Sequence, residues 1–95
     1  MKKLTDPEVV LLQALADPTR LAIVRQLAHD GEAGACDFTA CCEVAQPTIS
    51  HHLKVLREAG VVESDRRGTS IRYRLRSEAT RRLASLLGSL APAAS

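Results

Sequence analysis

Residues 46–60 leave the backbone little choice: Gln46-Pro47-Thr48-Ile49-Ser50-His51-His52-Leu53-Lys54-Val55-Leu56-Arg57-Glu58-Ala59-Gly60. Pro47 has its φ already helical and needs no amide partner, so it belongs in a first helical turn. Gly60 follows the last periodic residue, where a left-handed stop costs glycine least. Between them Ile49, Leu53 and Leu56 recur at i, i+4 and i+7 and form one apolar stripe. At about 100° per residue His51, Lys54 and Glu58 fall on the opposite side, flanked by Thr48 and Ser50. One face must be buried, and the other offers hydroxyl, imidazole and amine groups. Such groups reach base edges and phosphates in a major groove, and they also make an ordinary solvated face. The flanking segments decide between the two.

At 95 residues the chain makes one domain, 1–95, too small to bury much surface alone. Phe38 and Tyr73 are its only large aromatic residues, so the core falls to Leu, Val, Ile and Ala, a set that suits helices. No run approaches about 18 apolar residues, which predicts no membrane span. Asp6, Pro7 and Glu8 behind Lys2 and Lys3 spoil a signal peptide, and the expected compartment is the cytoplasm. There Cys36, Cys41 and Cys42 are expected as thiols rather than a disulfide framework. The net charge of +2 hides an asymmetry. Residues 1–45 carry four basic and seven acidic groups, net −3, and residues 46–95 carry nine and four, net +5. The basic half holds the two-faced helix, which favours a polyanionic partner over a merely soluble surface.

In chain order, Asp6-Pro7 opens a helix to about Ala16 and Asp17-Pro18 a second to about His29, each with Asp as N-cap and Pro behind it. Val9, Leu12 and Ala16 make one stripe on the first, with Val10, Leu11 and Leu15 beside it, more apolar surface than one neighbour covers. Leu21, Ile23, Val24, Leu27 and Ala28 point inward from the second. Residues 30–34 read as a loop. Asp37 caps a short third helix over 38–42, and Glu43-Val44-Ala45 turns into the helix at 46; this is helix-turn-helix spacing. Val61–Ser64 and Ser70–Leu75 read as strands around a turn at Asp65-Arg66-Arg67-Gly68, with Ile71, Tyr73 and Leu75 alternating against Arg72 and Arg74. Ser77 caps a last helix to about Leu90, striped by Leu83, Leu86, Leu87 and Leu90. That stripe and the first helix (6–16 with 77–90) predict a two-fold homodimer interface; residues 91–95 are a tail. The fold class is mainly α with a small β-hairpin wing, order α-α-α-α-β-β-α.

The run 46–60 resembles the recognition helix of the ArsR/SmtB family of winged helix-turn-helix repressors, many of them metal sensors. Asp17-Pro18-Thr19-Arg20-Leu21 resembles the start of the family's second helix. Arg66-Arg67-Gly68-Thr69 through Tyr73-Arg74-Leu75 resembles its wing. The likeness covers roughly residues 10–76. It implies a homodimer on double-stranded operator DNA. Ser50 and His51 are the expected base-reading residues, with Gln46 and Thr48 at the helix start, and Lys54, Arg66 and Arg67 the phosphate contacts. Two positions depart from the family pattern: Glu43 where the turn usually has glycine, and Ala45 where a serine commonly caps the reading helix.

Three thiols within seven residues select soft, thiophilic ions. Three sulfurs with no fourth ligand suit As(III) or Sb(III); Cd(II), Pb(II), Hg(II) and Zn(II) are the alternatives. In many arsenic- and lead/cadmium-sensing relatives the ligands follow a Cys-x-Cys-Asp pattern at the third helix. Here Gly34-Ala35-Cys36-Asp37 keeps only its second cysteine. The family's other common site uses Asp and His of the last helix, which has neither here, so none is expected. On one continuous helix the three cysteines would point to about 0°, 140° and 240°, converging only if Cys36 precedes the helix and Cys42 lies in the turn after it. Structural thiols and redox-active thiols therefore stay open beside a site of Cys36, Cys41 and Cys42. No organic cofactor is expected. No His or Asp is recognisably placed to activate a thiol nucleophile, so the chain reads as a repressor and not as an enzyme.

Overall fold

The computed structural model describes residues 6–38 and 45–92. Asp-Pro opens the first two helices as the residue types dictate. Asp6 accepts from the Glu8 amide (2.9 Å) ahead of α1 (Pro7–Leu15), and Asp17 accepts from the Arg20 amide (3.0 Å) ahead of α2 (Pro18–Asp30). Each carboxylate satisfies an amide that a helix start leaves without a partner. That backbone bond, above all, holds the Asp17 carboxyl below its ordinary value of 3.8. The helix at 46–60 forms as α3 (Gln46–Glu58), with Pro47 in its first turn and Gly60 left-handed (φ 84°) behind it. Ala45 stands at its N-cap and supplies no side-chain hydrogen bond.

The wing is β2 (Val62–Arg67) against β3 (Ser70–Leu75), antiparallel, with Val62 opposite Leu75 and Arg67 opposite Ser70. Its turn is tighter than expected. Asp65, Arg66 and Arg67 extend the strand, and only Gly68 and Thr69 connect, Gly68 taking φ 63°. A two-residue hairpin connection favours that left-handed backbone, which glycine adopts without strain. A third strand, β1 (Ala33–Gly34), replaces part of the expected loop and pairs with the free edge of β3, Ala33 opposite Tyr73. Two small residues carry no strand signal of their own; the unpaired edge of β3 recruits them. The described order is thus α-α-β-α-β-β-α, with α4 (Ser77–Ser89) last. Arg76, not Ser77, stands at the N-cap of α4 and makes no side-chain cap. Asp37 and Phe38 have helical backbone, and the rest of the expected third helix and its turn lie outside the described residues. The Asp37 carboxylate reaches backward, accepting from the Gly34 amide at 2.9 Å.

Ile49, Leu53 and Leu56 are fully buried, against Ile23 and Leu27 of α2, Leu11 and Ala14 of α1, Phe38, and Val61, Val62 and Tyr73 at the wing. Ala28 is exposed, contrary to the pattern reading of α2. Helix α4 packs on α1, burying Ala79 and half-burying Leu83, which therefore belongs to the domain's own core rather than to an uncovered stripe. Among the described residues no helix is long and apolar enough to cross a membrane.

Apolar surface remains in water on the two expected helices: Val9 and Leu12 on α1, and, at the end of the chain, Leu87 (61 % exposed) and Leu90 (70 %). Replacing Leu87 and Leu90 together with glutamate leaves the domain core untouched. The double variant is predicted to fold with wild-type helicity but to lose self-association by about tenfold or more, as truncation at an apolar interface centre does. Sedimentation equilibrium reads this; an unchanged dimer constant contradicts it.

Candidate nucleic-acid interface

Burying one stripe of α3 fixes the direction of the others. With Ile49, Leu53 and Leu56 inside, Gln46, Thr48, Ser50, His51 and Lys54 all stand exposed on the outer surface. These are the residues the sequence assigns to base and phosphate contact. Arg66 and Arg67 lie on the exposed outer part of β2.

The two wing arginines differ. Among the described residues Arg66 makes no ion pair. Arg67 is gripped three ways: Nη1 and Nη2 donate to Glu32 Oε2 (2.9 Å) and Oε1 (3.2 Å), and Nε donates to Asp65 Oδ2 (3.1 Å). Asp65 first, and then Glu32, raises its already high pKa. Glu32 also faces Arg72 (3.5 Å), which approaches Asp37 at 3.8 Å. Arg74 is likewise matched by Glu63 at 2.7 Å. The outward face of β3 is therefore a half-buried ladder of ion pairs rather than a plain solvated face. Glu32 had no signal in the sequence, because its partner lies 35 residues away.

Cys36 is exposed. It lines a groove of about 350 Å³ with Gln46 and Ser50 of α3 and Ile71, Arg72 and Tyr73 of β3. Cys41 and Cys42 lie outside the described residues. Among the described residues no three His, Cys, Asp or Glu side chains converge. One further contact, between α2 and α3, escaped the sequence reading: Arg20 Nη1 lies 3.2 Å from Nδ1 of His52. The available signal was Arg20 itself: a cation in a helix first turn opposes the macrodipole and calls for another partner.

A buried-stripe helix with an outward polar face, flanked by a basic two-stranded wing, is a winged helix-turn-helix, an architecture shared by many DNA-binding regulators. The chain belongs to the arsR family of bacterial regulatory proteins, whose family profile matches residues 17–64. It is 40 % identical over 78 residues to the arsenic resistance transcriptional regulator ArsR1 of Pseudomonas putida, covering 82 % of this chain and 60 % of that protein. It is 39 % identical over 87 residues to the biofilm growth-associated repressor of Agrobacterium fabrum, covering 92 % and 74 %. Its fold matches a homodimeric winged helix-turn-helix DNA-binding domain from Mycobacterium bovis with a TM-score of 0.75 and 30 % identity, over 90 % of this chain and 80 % of that one. The chain thus spans about 60 % of the length of its Pseudomonas relative.

The grip on Arg67 makes a prediction for DNA binding. Glu32→Gln removes a carboxylate that competes with phosphate for Arg67, while Asp65 still holds Nε. It is predicted to raise affinity for duplex of any sequence by a few-fold at every salt concentration, with the salt slope within about one unit of wild type, because the number of phosphates met does not change. Filter binding across a salt series measures both, and an unchanged affinity contradicts competition between Glu32 and phosphate.

Proposed function

We propose that this protein is a homodimeric transcriptional repressor that holds double-stranded operator DNA and releases it when As(III) or Sb(III) binds its cysteine thiolates. The observation that carries the reading is one of position: the exposed face of α3 and Cys36 border the same groove, at Gln46 and Ser50. In this reading α3 enters the major groove. Ser50 and His51 read base edges, with Gln46 and Thr48 at the helix start. Lys54, Arg66 and Arg67 neutralise phosphates, a sequence-independent contribution that falls with salt.

Release, in this reading, acts through the thiols. Arsenous acid exchanges its three hydroxyls for the thiols of Cys36, Cys41 and Cys42: each As–S bond forms as one As–OH bond breaks, and the hydroxyl leaves with the thiol proton as water. The segment at Cys36 is then pulled toward the turn that leads into α3. Two helices set against two grooves tolerate little rotation, and a preference of a few kcal/mol for the non-binding state is sufficient. No long pathway is needed, since ligand and reading head share one motif. The Pseudomonas relative's name supports arsenic chemistry. A soft divalent ion (Cd, Pb, Zn or Hg), or oxidation of the thiols, is the second reading. The exposure of Cys36 and the Agrobacterium relative's different name favour keeping it.

Selection from a random duplex pool is predicted to recover paired half-sites about 34–36 Å apart. On that operator, arsenite titration should dissociate the wild-type protein. Cys36→Ser, Cys41→Ser and Cys42→Ser should each bind DNA normally and resist release. If all three dissociate at the wild-type arsenite concentration, the cysteines are structural and the inducer acts elsewhere.

A further inference from the structure

One guanidinium ties three helices together at the base of the reading head. Arg20, in the first turn of α2, sends Nε to the Ala14 carbonyl (2.6 Å) and Nη2 to the Gln13 carbonyl (3.3 Å). Both carbonyls belong to the last turn of α1, where a cation is favoured; the Gln13 carbonyl also accepts from the Ala16 amide at 3.2 Å. The third arm, Nη1, lies 3.2 Å from Nδ1 of His52 on α3. His52 has only 14 % of its side chain exposed. A guanidinium has no acceptor atom, so this contact requires His52 Nδ1 to carry the lone pair and the ring proton to sit on Nε2. In this arrangement the imidazole is neutral.

The two ends of this link have different assignments. Helix α1 carries uncovered apolar surface, Val9 and Leu12, on the expected dimer side, and α3 carries the reading face. We infer that Arg20 and His52 are positioning residues that set the angle of α3 on α1, and so the relation between the two reading helices of a dimer. Neither side chain touches DNA in this account. Lysine cannot replace Arg20, because one ammonium on a flexible stem cannot span two carbonyls and a ring nitrogen in a fixed fork. Asparagine can replace His52, because its Oδ1 offers an acceptor near the place of Nδ1.

The groups around His52 are charged in opposite senses. Arg20 approaches from α2, Asp17 Oδ2 stands 4.0 Å from Nδ1 at the α2 cap, and the exposed His51 ring lies 5.7 Å away on α3 itself. Glu58 of α3 lines a groove with Arg20 on its other side, and the α1 residues at the link, Gln13 and Ala14, do not titrate. The lone pair on His52 Nδ1 is the acceptor on which the link to Arg20 depends.

The inference rests on the DNA-reading role proposed above, and the tests separate the two: absence of any sequence-specific binding by the wild-type protein would fail that role itself. Given specific binding, Arg20→Lys and His52→Phe are each expected to lose about tenfold or more in operator affinity, the scale of a hydrogen bond to a charged group. Affinity for unrelated duplex should stay within about twofold, since every phosphate contact remains. His52→Asn should restore operator binding. A parallel loss on both DNAs, or no loss on either, overturns the assignment.

Discussion

Everything at the candidate interface depends on the burial of Ile49, Leu53 and Leu56. All three are fully buried, on a helix whose remaining surface is mostly exposed. Each such side chain contributes roughly 1.5–3 kcal/mol on leaving water. Turning α3 by one residue, about 100°, would exchange part of that stripe for His or Ser. No exposed ion pair in the domain competes with this, since such pairs contribute about 0–1 kcal/mol each. The rotation of α3 is therefore decided by the core, and the outward direction of Ser50, His51 and Lys54 follows from it without any further interaction.

The weaker forces act on what the core leaves undecided. Wing placement along β3 is set by backbone pairing on both its edges and trimmed by Glu32, Asp37, Arg67 and Arg72. These pairs are partly exposed and add little to holding the fold. The link from α1 through Arg20 to His52 lies between the two regimes: it is partly buried, tightly spaced and directional.

Periodicity and caps made most of this legible in the sequence. Asp6-Pro7, Asp17-Pro18 and Pro47 with Gly60 mark helix ends through local chemistry, and the structure places those ends within a residue or so. The i, i+4, i+7 stripe of α3 was readable because it repeats at the helix period. What escaped was non-local. Strand β1 exists because β3 has an edge to fill, and Ala33-Gly34 alone says nothing of it. The expected Ser77 cap moved to Arg76, and Leu83 proved to be covered by the domain itself, which depends on how α4 meets α1. The pairing of Arg67 with Glu32 and of Arg20 with His52 crosses 35 and 32 residues and has no local signature. The cysteine set was read from spacing and softness, and of its members only Cys36 falls within the described residues.

The central claim is that the outer face of α3 reads sequence while the wing supplies attraction. The direct measurement is the affinity of wild type, His51→Ala and Arg66→Ala for a panel of duplexes carrying every single base change in one half-site. The account predicts that His51→Ala flattens the preference at one or two positions, by about 1–3 kcal/mol at each, and leaves the others as they were. Arg66→Ala should weaken every duplex alike. If His51→Ala lowers all affinities evenly and Arg66→Ala alters base preference, the reading head lies on the wing and not on α3.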